Sequence, residues 1–407
     1  MTKTNFIRKF RLISNQYYGS MRQLIRIIGI AILFAIVVAL GMKAIWLFKA
    51  KKTANIYILD KTVTQYDRHE HKAFTWLLNN NKIVKPNNKH YSTKRDYFGF
   101  YPIDIDDEAF DFKSIRINEV EDYALNYDVL FYADCYGVHS FEWYKGKSKP
   151  IRSQKVYGGL NQNDYLLLKR MLDNGKLAIA EYNMFSTPTN ALVRTKTEEL
   201  LGINWSGWTG KYFETFNVAE TNAPPSWMKN LYESQHLGVW PSEGSGIILI
   251  SNDGLLEILE TGNHLNIPIP TIETSTGAVD RFRLAESILF EQWFEIISPG
   301  ENIVHSNYSL DVTAQGQEVL QKIGLTNEFP AIIEGKNLNF FYFCGDFSEN
   351  PAQMWTAKLA GGKWLNHFIT RFGNTNKAKF FRRYYTPLIE SIISEQLSVQ
   401  STENVQE

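Results

Sequence analysis

The chain has 407 residues, 43 basic and 43 acidic side chains, and an aromatic share of 14%. That balance is globular and excludes a nucleic-acid binder, which needs a basic face. Two cysteines, Cys135 and Cys344, exclude a disulfide framework or a cysteine-rich zinc site, and the length allows one large or two modest domains.

Residues 27–48 read IIGIAILFAIVVALGMKAIWLF, with Lys43 as the one charge. At 1.5 Å per residue such a run crosses a hydrocarbon core of about 30 Å. Lys43 stands near the far end, where its stem can snorkel, and Trp46 suits an interfacial belt. A cleaved signal peptide would be shorter, closer to the start, and followed by a small-x-small site. Here 26 residues precede the run, and Lys49, Lys51 and Lys52 follow it. The reading is a cytoplasmic segment over 1–26, an uncleaved transmembrane helix over 27–48 and a basic tether over 49–54. Lys3, Arg8, Lys9, Arg11, Arg22 and Arg26 outnumber the three lysines beyond the span. This bias predicts a single-pass protein of the inner (plasma) membrane with an exported domain. A cytoplasmic domain with inverted topology is the alternative.

The domain is expected over 55–397, with a disordered tail at 398–407. A first strand covers 55–59 and a helix 69–79, followed by an irregular, polar and aromatic insertion over 80–122. Residues 128–133 form a short apolar strand. Leu166, Leu167, Met171 and Leu172 fall at helical spacing within 162–173, and Asn174-Gly175 stops that helix. Residues 176–181 form the next strand, and Thr187-Pro188 reads as N-cap and N1 proline of a helix reaching Leu201. Strand, helix, strand, helix at this spacing is a βαβ unit with a parallel sheet. Further on, 246–250 and 255–259 make a hairpin about Asn252-Asp253-Gly254, and 290–297 another strand. Thr313 caps a helix ending at Gly324. Strands at 331–333 and 339–343 precede a closing amphipathic helix over 380–396.

Three segments resemble the class I glutamine amidotransferase-like superfamily, including its ThuA-like (trehalose-utilisation) branch. They are YDVLFYAD at 127–134, NGKLAIAE at 174–181 running through a tight turn into a helix, and FFYFCGD at 340–346. The resemblance implies an α/β, flavodoxin-like three-layer domain with a mostly parallel sheet. The superfamily's amidotransferases place a cysteine at the strand-to-helix elbow and a later His-x-Glu pair. The elbow here is Glu181-Tyr182-Asn183-Met184-Phe185, and no His-x-Glu exists in the chain. Without thiolate and base, covalent glutamine hydrolysis has no route.

In parallel sheets ligands sit at the carboxyl ends of strands. Those ends carry Asp60 with Lys61, Asp134, Glu181 with Asn183, and Asp346. Asp134, Glu181 and Asp346 are candidate acid–base groups, with Asp60, Lys61 and Asn183 as ligand contacts. Carboxylates there also cap turns for structural reasons alone. Trp205 and Trp208, in NWSGWTG, offer a sugar-stacking platform, or else a buried loop with two core tryptophans. His69 and His71, two apart on a helix, point in different directions and do not share a metal. Cys135 and Cys344 each follow a strand and are expected as separate buried thiols, pairing only if those strands are neighbours. The expected function is binding or carboxylate-based hydrolysis of a carbohydrate-type envelope ligand, without cofactor or metal. The alternative is a non-catalytic scaffold holding an envelope protein at the membrane.

Overall fold

The computed structural model describes residues 3–144, 154–236, 238–373 and 375–406, with side chains from Met21 to Val399. The orienting charges at Lys3, Arg8, Lys9 and Arg11, and the tail's side chains from residue 400, lie outside the described ones. The first helix, α1 (Lys3–Phe48), is continuous. Its part Met21–Phe48 is long and apolar enough to cross a membrane, and its most apolar window is unburied.

The junction after α1 is not a free tether. Lys52 and Thr53 pair in parallel with Ile83 and Val84. Trp46, expected in an interfacial belt, is only 3% exposed. It lies 5.2 Å from the His90 ring, and the ammonium groups of Lys43 and Lys82 stand over its own ring. Lys82 Nζ donates to the Leu47 and Lys49 carbonyls, both at 2.6 Å. Those carbonyls lack intrahelical partners at a helix end, so Lys82 closes the end of α1 onto the domain.

The domain is built on a large sheet. In chain order its parallel strands begin with β1 (Ile56–Asp60), followed by helix α2 (His69–Asn80). The segment expected to be irregular contributes β2 (Phe98–Asp104) and β3 (Ala109–Lys113). Alternation in Phe98-Gly99-Phe100 carries that edge. A Cβ on Gly99, at φ 130°, would lie 1.6 Å from the Asp60 carbonyl oxygen, so only glycine fits there. Next come β4 (Val129–Asp134), helix α3 (Gln162–Asp173), β5 (Leu177–Glu181) and helix α4 (Ala191–Leu201). Helix α4 starts later than expected: Asn190 is its cap, accepting from the Leu192 N–H at 2.9 Å, and Thr187-Pro188 belongs to the preceding turn.

The rest is more antiparallel than the sequence suggested. Strands β6 (Asn204–Phe213), β7 (Gly246–Ser251) and β8 (Leu256–Glu260) are followed by β9 (Thr271–Thr274), β10 (Ser287–Leu289) and β11 (Phe294–Ser298). The last three strands are β12 (Ile303–Ser309), β13 (Glu328–Glu334) and β14 (Phe340–Phe343). The ten-stranded sheet runs β10-β9-β12-β13-β14-β5-β4-β1-β2-β3. Only β14, β5, β4, β1 and β2 are mutually parallel. The fold is therefore mixed α/β, and flavodoxin-like only loosely. A four-stranded antiparallel sheet, β8-β7-β6-β11, meets it where Phe294 bridges Gly345.

Consecutive residues of β4 point to opposite faces. Phe131 stacks on Phe74 of α2 at 3.9 Å, whereas the Tyr132 hydroxyl donates to the Asp164 carbonyl of α3 at 2.7 Å. Helices thus cover both faces in three layers. The last helix (Thr386–Gln406) runs past Gln396, where the sequence pattern ends it. Its Ile389, Ile392 and Ile393 are buried. Cys135 and Cys344 are separate buried thiols.

Candidate functional site

Asp60 ends β1, Asp134 ends β4, Glu181 ends β5 and Asp346 follows β14. A parallel sheet delivers these ends to one edge. Their charges act on one another there: Asp60 raises the pKa of Asp134, Asp134 raises that of Asp346, and Asp346 raises that of Glu181. They differ in access. Asp60 and Glu181 are wholly internal, at 0% and 1% exposure, while Asp134 and Asp346 are partly exposed.

Asp60 is held by His71, Nδ1 to Oδ2 at 2.5 Å, and the other ring nitrogen faces the Thr93 carbonyl at 2.9 Å. Glu181 accepts from the Ser348 N–H at 2.9 Å, and its Oε1 has no hydrogen-bond partner. Burial, then Asp346, pushes its pKa well up. Asp134 accepts from the Tyr136 N–H at 2.6 Å and faces the Asn183 amide at 3.4 Å. Burial is the main reason its pKa stands at about 7. Asn183 occupies the elbow at φ 69°, a left-handed turn that asparagine tolerates, and Ser186 Oγ donates to its Oδ1 at 3.1 Å.

Asp346 accepts from the Glu349 N–H at 3.3 Å. Burial and then Glu349 raise its pKa well above the ordinary range. Burial works the same way on Glu349, but Lys377, 3.0 Å away, holds that carboxyl below the ordinary range. Environments that push neighbouring carboxyls apart are a mark of acid–base sites.

Lys61 leaves this group. Its ammonium is buried against Asp164 and donates to the Gly159 carbonyl at 2.8 Å, away from the ligand-contact place expected for it. Trp208 is buried, and Trp205 Nε1 donates to the Trp208 carbonyl at 3.2 Å. The described hydrogen bonds and charge contacts of the cluster include neither tryptophan. Another takes that place. Trp293 stacks with Tyr182 at 6.5 Å, lies 5.6 Å from Lys211 Nζ, and accepts the Asp346 N–H on its carbonyl at 2.9 Å.

Glu70, Glu295, Glu349, Lys211, Lys377 and Trp293 escaped the sequence reading. Glu70 is internal, 3.1 Å from His69, and its pKa is raised by burial and then by Asp60. Glu295 accepts from the Tyr342 hydroxyl, and burial pushes it up to about 8. Glu349 was within reach, three residues beyond Asp346; Trp293 and Glu295 come from the second sheet, and no local signal points to them. Among the described residues no three His, Cys, Asp or Glu side chains group as metal ligands. A pocket lined by Lys49, Leu77, Ile83, Glu390 and Leu397 lies beside the anchor and has no part in this cluster.

No family model matches the chain, and no curated protein matches it. Among solved structures it is similar to a ThuA-like protein from Bacteroides uniformis, at 11% identity and a TM-score of 0.32, over 81% of this chain and 96% of that one. It is also similar to alpha-L-fucosidase isoenzyme 2 from Paenibacillus thiaminolyticus, at 10% identity and a TM-score of 0.32, over 83% of this chain and 35% of that one. Neither superposition is close enough to assign a family or a reaction.

Proposed function

We propose that this is a single-pass membrane protein whose α/β domain binds, and through carboxyl groups hydrolyses, a carbohydrate-type ligand of the cell envelope. The observation that carries the reading is the pairing of unlike carboxyls beside an aromatic stack. Asp134 and Asp346 have raised pKa values, Glu349 has a lowered one, and Trp293 stacks on Tyr182 next to them. Asp134, raised to about 7, is poised to give a proton near neutral pH, burial pushes Asp346 toward its protonated form, and Lys377 favours the ionised form of Glu349. An indole face beside polar groups suits the apolar face of a sugar ring. Asp60 and Glu181, being internal, position this group and do not touch the ligand.

The test uses the full-length protein in detergent with a panel of soluble glycans and chromogenic glycosides. Asp134→Asn, Asp346→Asn and Trp293→Ala should each abolish binding or turnover, the two asparagine variants with the melting temperature held or raised. No binding to any glycan would remove the carbohydrate class. The rival, a non-catalytic scaffold, is favoured by the internal positions of Asp60 and Glu181. It predicts that the same three variants leave binding of an envelope protein unchanged.

A further inference from the structure

Between Glu349 and Glu390 the chain has no acidic residue; Lys363 is paired with Glu390 at 2.5 Å, and Lys358, Arg371 and Arg382 are among the other basic residues there. In a chain of zero net charge this is a local positive field. At its centre lies helix α5 (Gly362–Thr370). Trp364 and Phe368, four apart, share one face of it, and Phe372, just past its end, continues the row, with ring centroids 5.5 and 5.9 Å apart. They are 66%, 41% and 73% exposed, and Trp355 nearby is 60% exposed. The Arg371 guanidinium lies over the rings of Phe368 and Phe372 at 4.5 and 4.6 Å.

The opposite face is fixed in the domain. Asn366 is fully buried; it accepts from the Gln353 N–H at 2.7 Å and donates to the Pro351 carbonyl at 3.1 Å. The aromatic row therefore cannot turn inward. The helix also starts against α1, where the Ala360 N–H donates to the Met42 carbonyl at 3.0 Å. Met42 immediately precedes Lys43 near the end of the apolar run, where a span would leave the hydrocarbon.

We propose that α5 is a second membrane contact, its Trp364–Phe368–Phe372 face seated in the headgroup layer of the anionic bilayer that α1 crosses. This rests on α1 being a membrane span. Tryptophan and arginine are favoured at that depth, and basic residues there gain from anionic lipid. A second copy would bring the same positive field against this one, whereas lipid phosphates complement it.

The test places the full-length protein in anionic-lipid nanodiscs at one chain per disc, with a single spin label at Phe368→Cys or Phe372→Cys. The native cysteines are buried, so labelling is selective. Oxygen accessibility is compared with that of a water-soluble nickel chelate. Labels at 368 and 372 should be oxygen-favoured, as at an Ala35→Cys control inside the span, and unlike a Val239→Cys control on the exposed surface. Zwitterionic lipid or Arg371→Gln should shift 368 and 372 toward the chelate. Water-like values at both positions, with Ala35→Cys still lipid-like, overturn the proposal and leave the span intact. A water-like Ala35→Cys overturns the span itself. Shielding that appears only with two chains per disc assigns the face to copies of this chain, and also overturns it.

Discussion

Asp134 carries a pH dependence with a definite sign. Its carboxyl is raised from 3.8 to about 7 in the folded chain, chiefly by burial. An acid of this kind contributes stability that is present below its unfolded pKa and lost as pH rises through the folded one. Each unit corresponds to ~1.4 kcal/mol, so the loss across this window is of the order of a few kcal/mol. Asp134→Asn should flatten unfolding stability between about pH 4 and 7 and leave the variant more stable than the parent at about pH 8. Urea titrations at several pH values check this. A variant weaker by ~1 kcal/mol throughout would make the carboxylate a turn cap for Tyr136. The buried Asp60–His71 pair is tested by removing one partner. His71→Ala leaves a carboxylate buried without its partner and should cost about 3–5 kcal/mol in the same measurement. At the elbow, Asn183 gives no nucleophile, so full-length protein should release no ammonia from glutamine. Release abolished by Cys135→Ser would overturn that assignment of the elbow.

Among the elements, the parallel heart of the sheet was legible because its strands are apolar runs separated by helices with plain stop signals, as at Asn174-Gly175. Strands β9, β10 and β12 were not. Strands β9 and β10 are short, β12 carries His305, Ser306 and Asn307 in its middle, and their pairing is set largely by neighbours far along the chain. The strand ends placed Asp60, Asp134, Glu181 and Asp346 at one edge without showing which would be covered. Nor does spacing in sequence reveal that Lys61 swings to Asp164 or that Trp293 arrives from another sheet. The junction of α1 with the domain was hidden for the same reason, since Lys82 and Trp46 meet only in three dimensions. Lys82→Met should expose the end of α1. Amide hydrogen exchange at residues 46–49 should quicken, with a stability loss of about 1 kcal/mol for the hydrogen bonds removed. Unchanged exchange would show that the strand pairing at Lys52–Thr53 holds the junction alone.

For the molecule as a whole, the expected outcome is retention in membranes after a carbonate wash and digestion of the large domain by protease added to spheroplasts. Protection of the domain in intact spheroplasts would reverse its side while leaving a single span. The closed junction also decides how such a protein searches. A domain on a slack leash samples many attitudes, and its site meets ligands from any direction. Here Trp46 is internal and Lys82 grips the helix end, so the domain and the end of α1 are joined without slack. With α1 crossing a membrane, as proposed, its freedom would be reduced to lateral drift and spin about the membrane normal. A ligand presented at the wrong height would then be out of reach however tightly it would bind in solution, and a glycine–serine insert after residue 50 would not restore reach, because Lys82 holds the chain at Leu47 and Lys49, ahead of the insert.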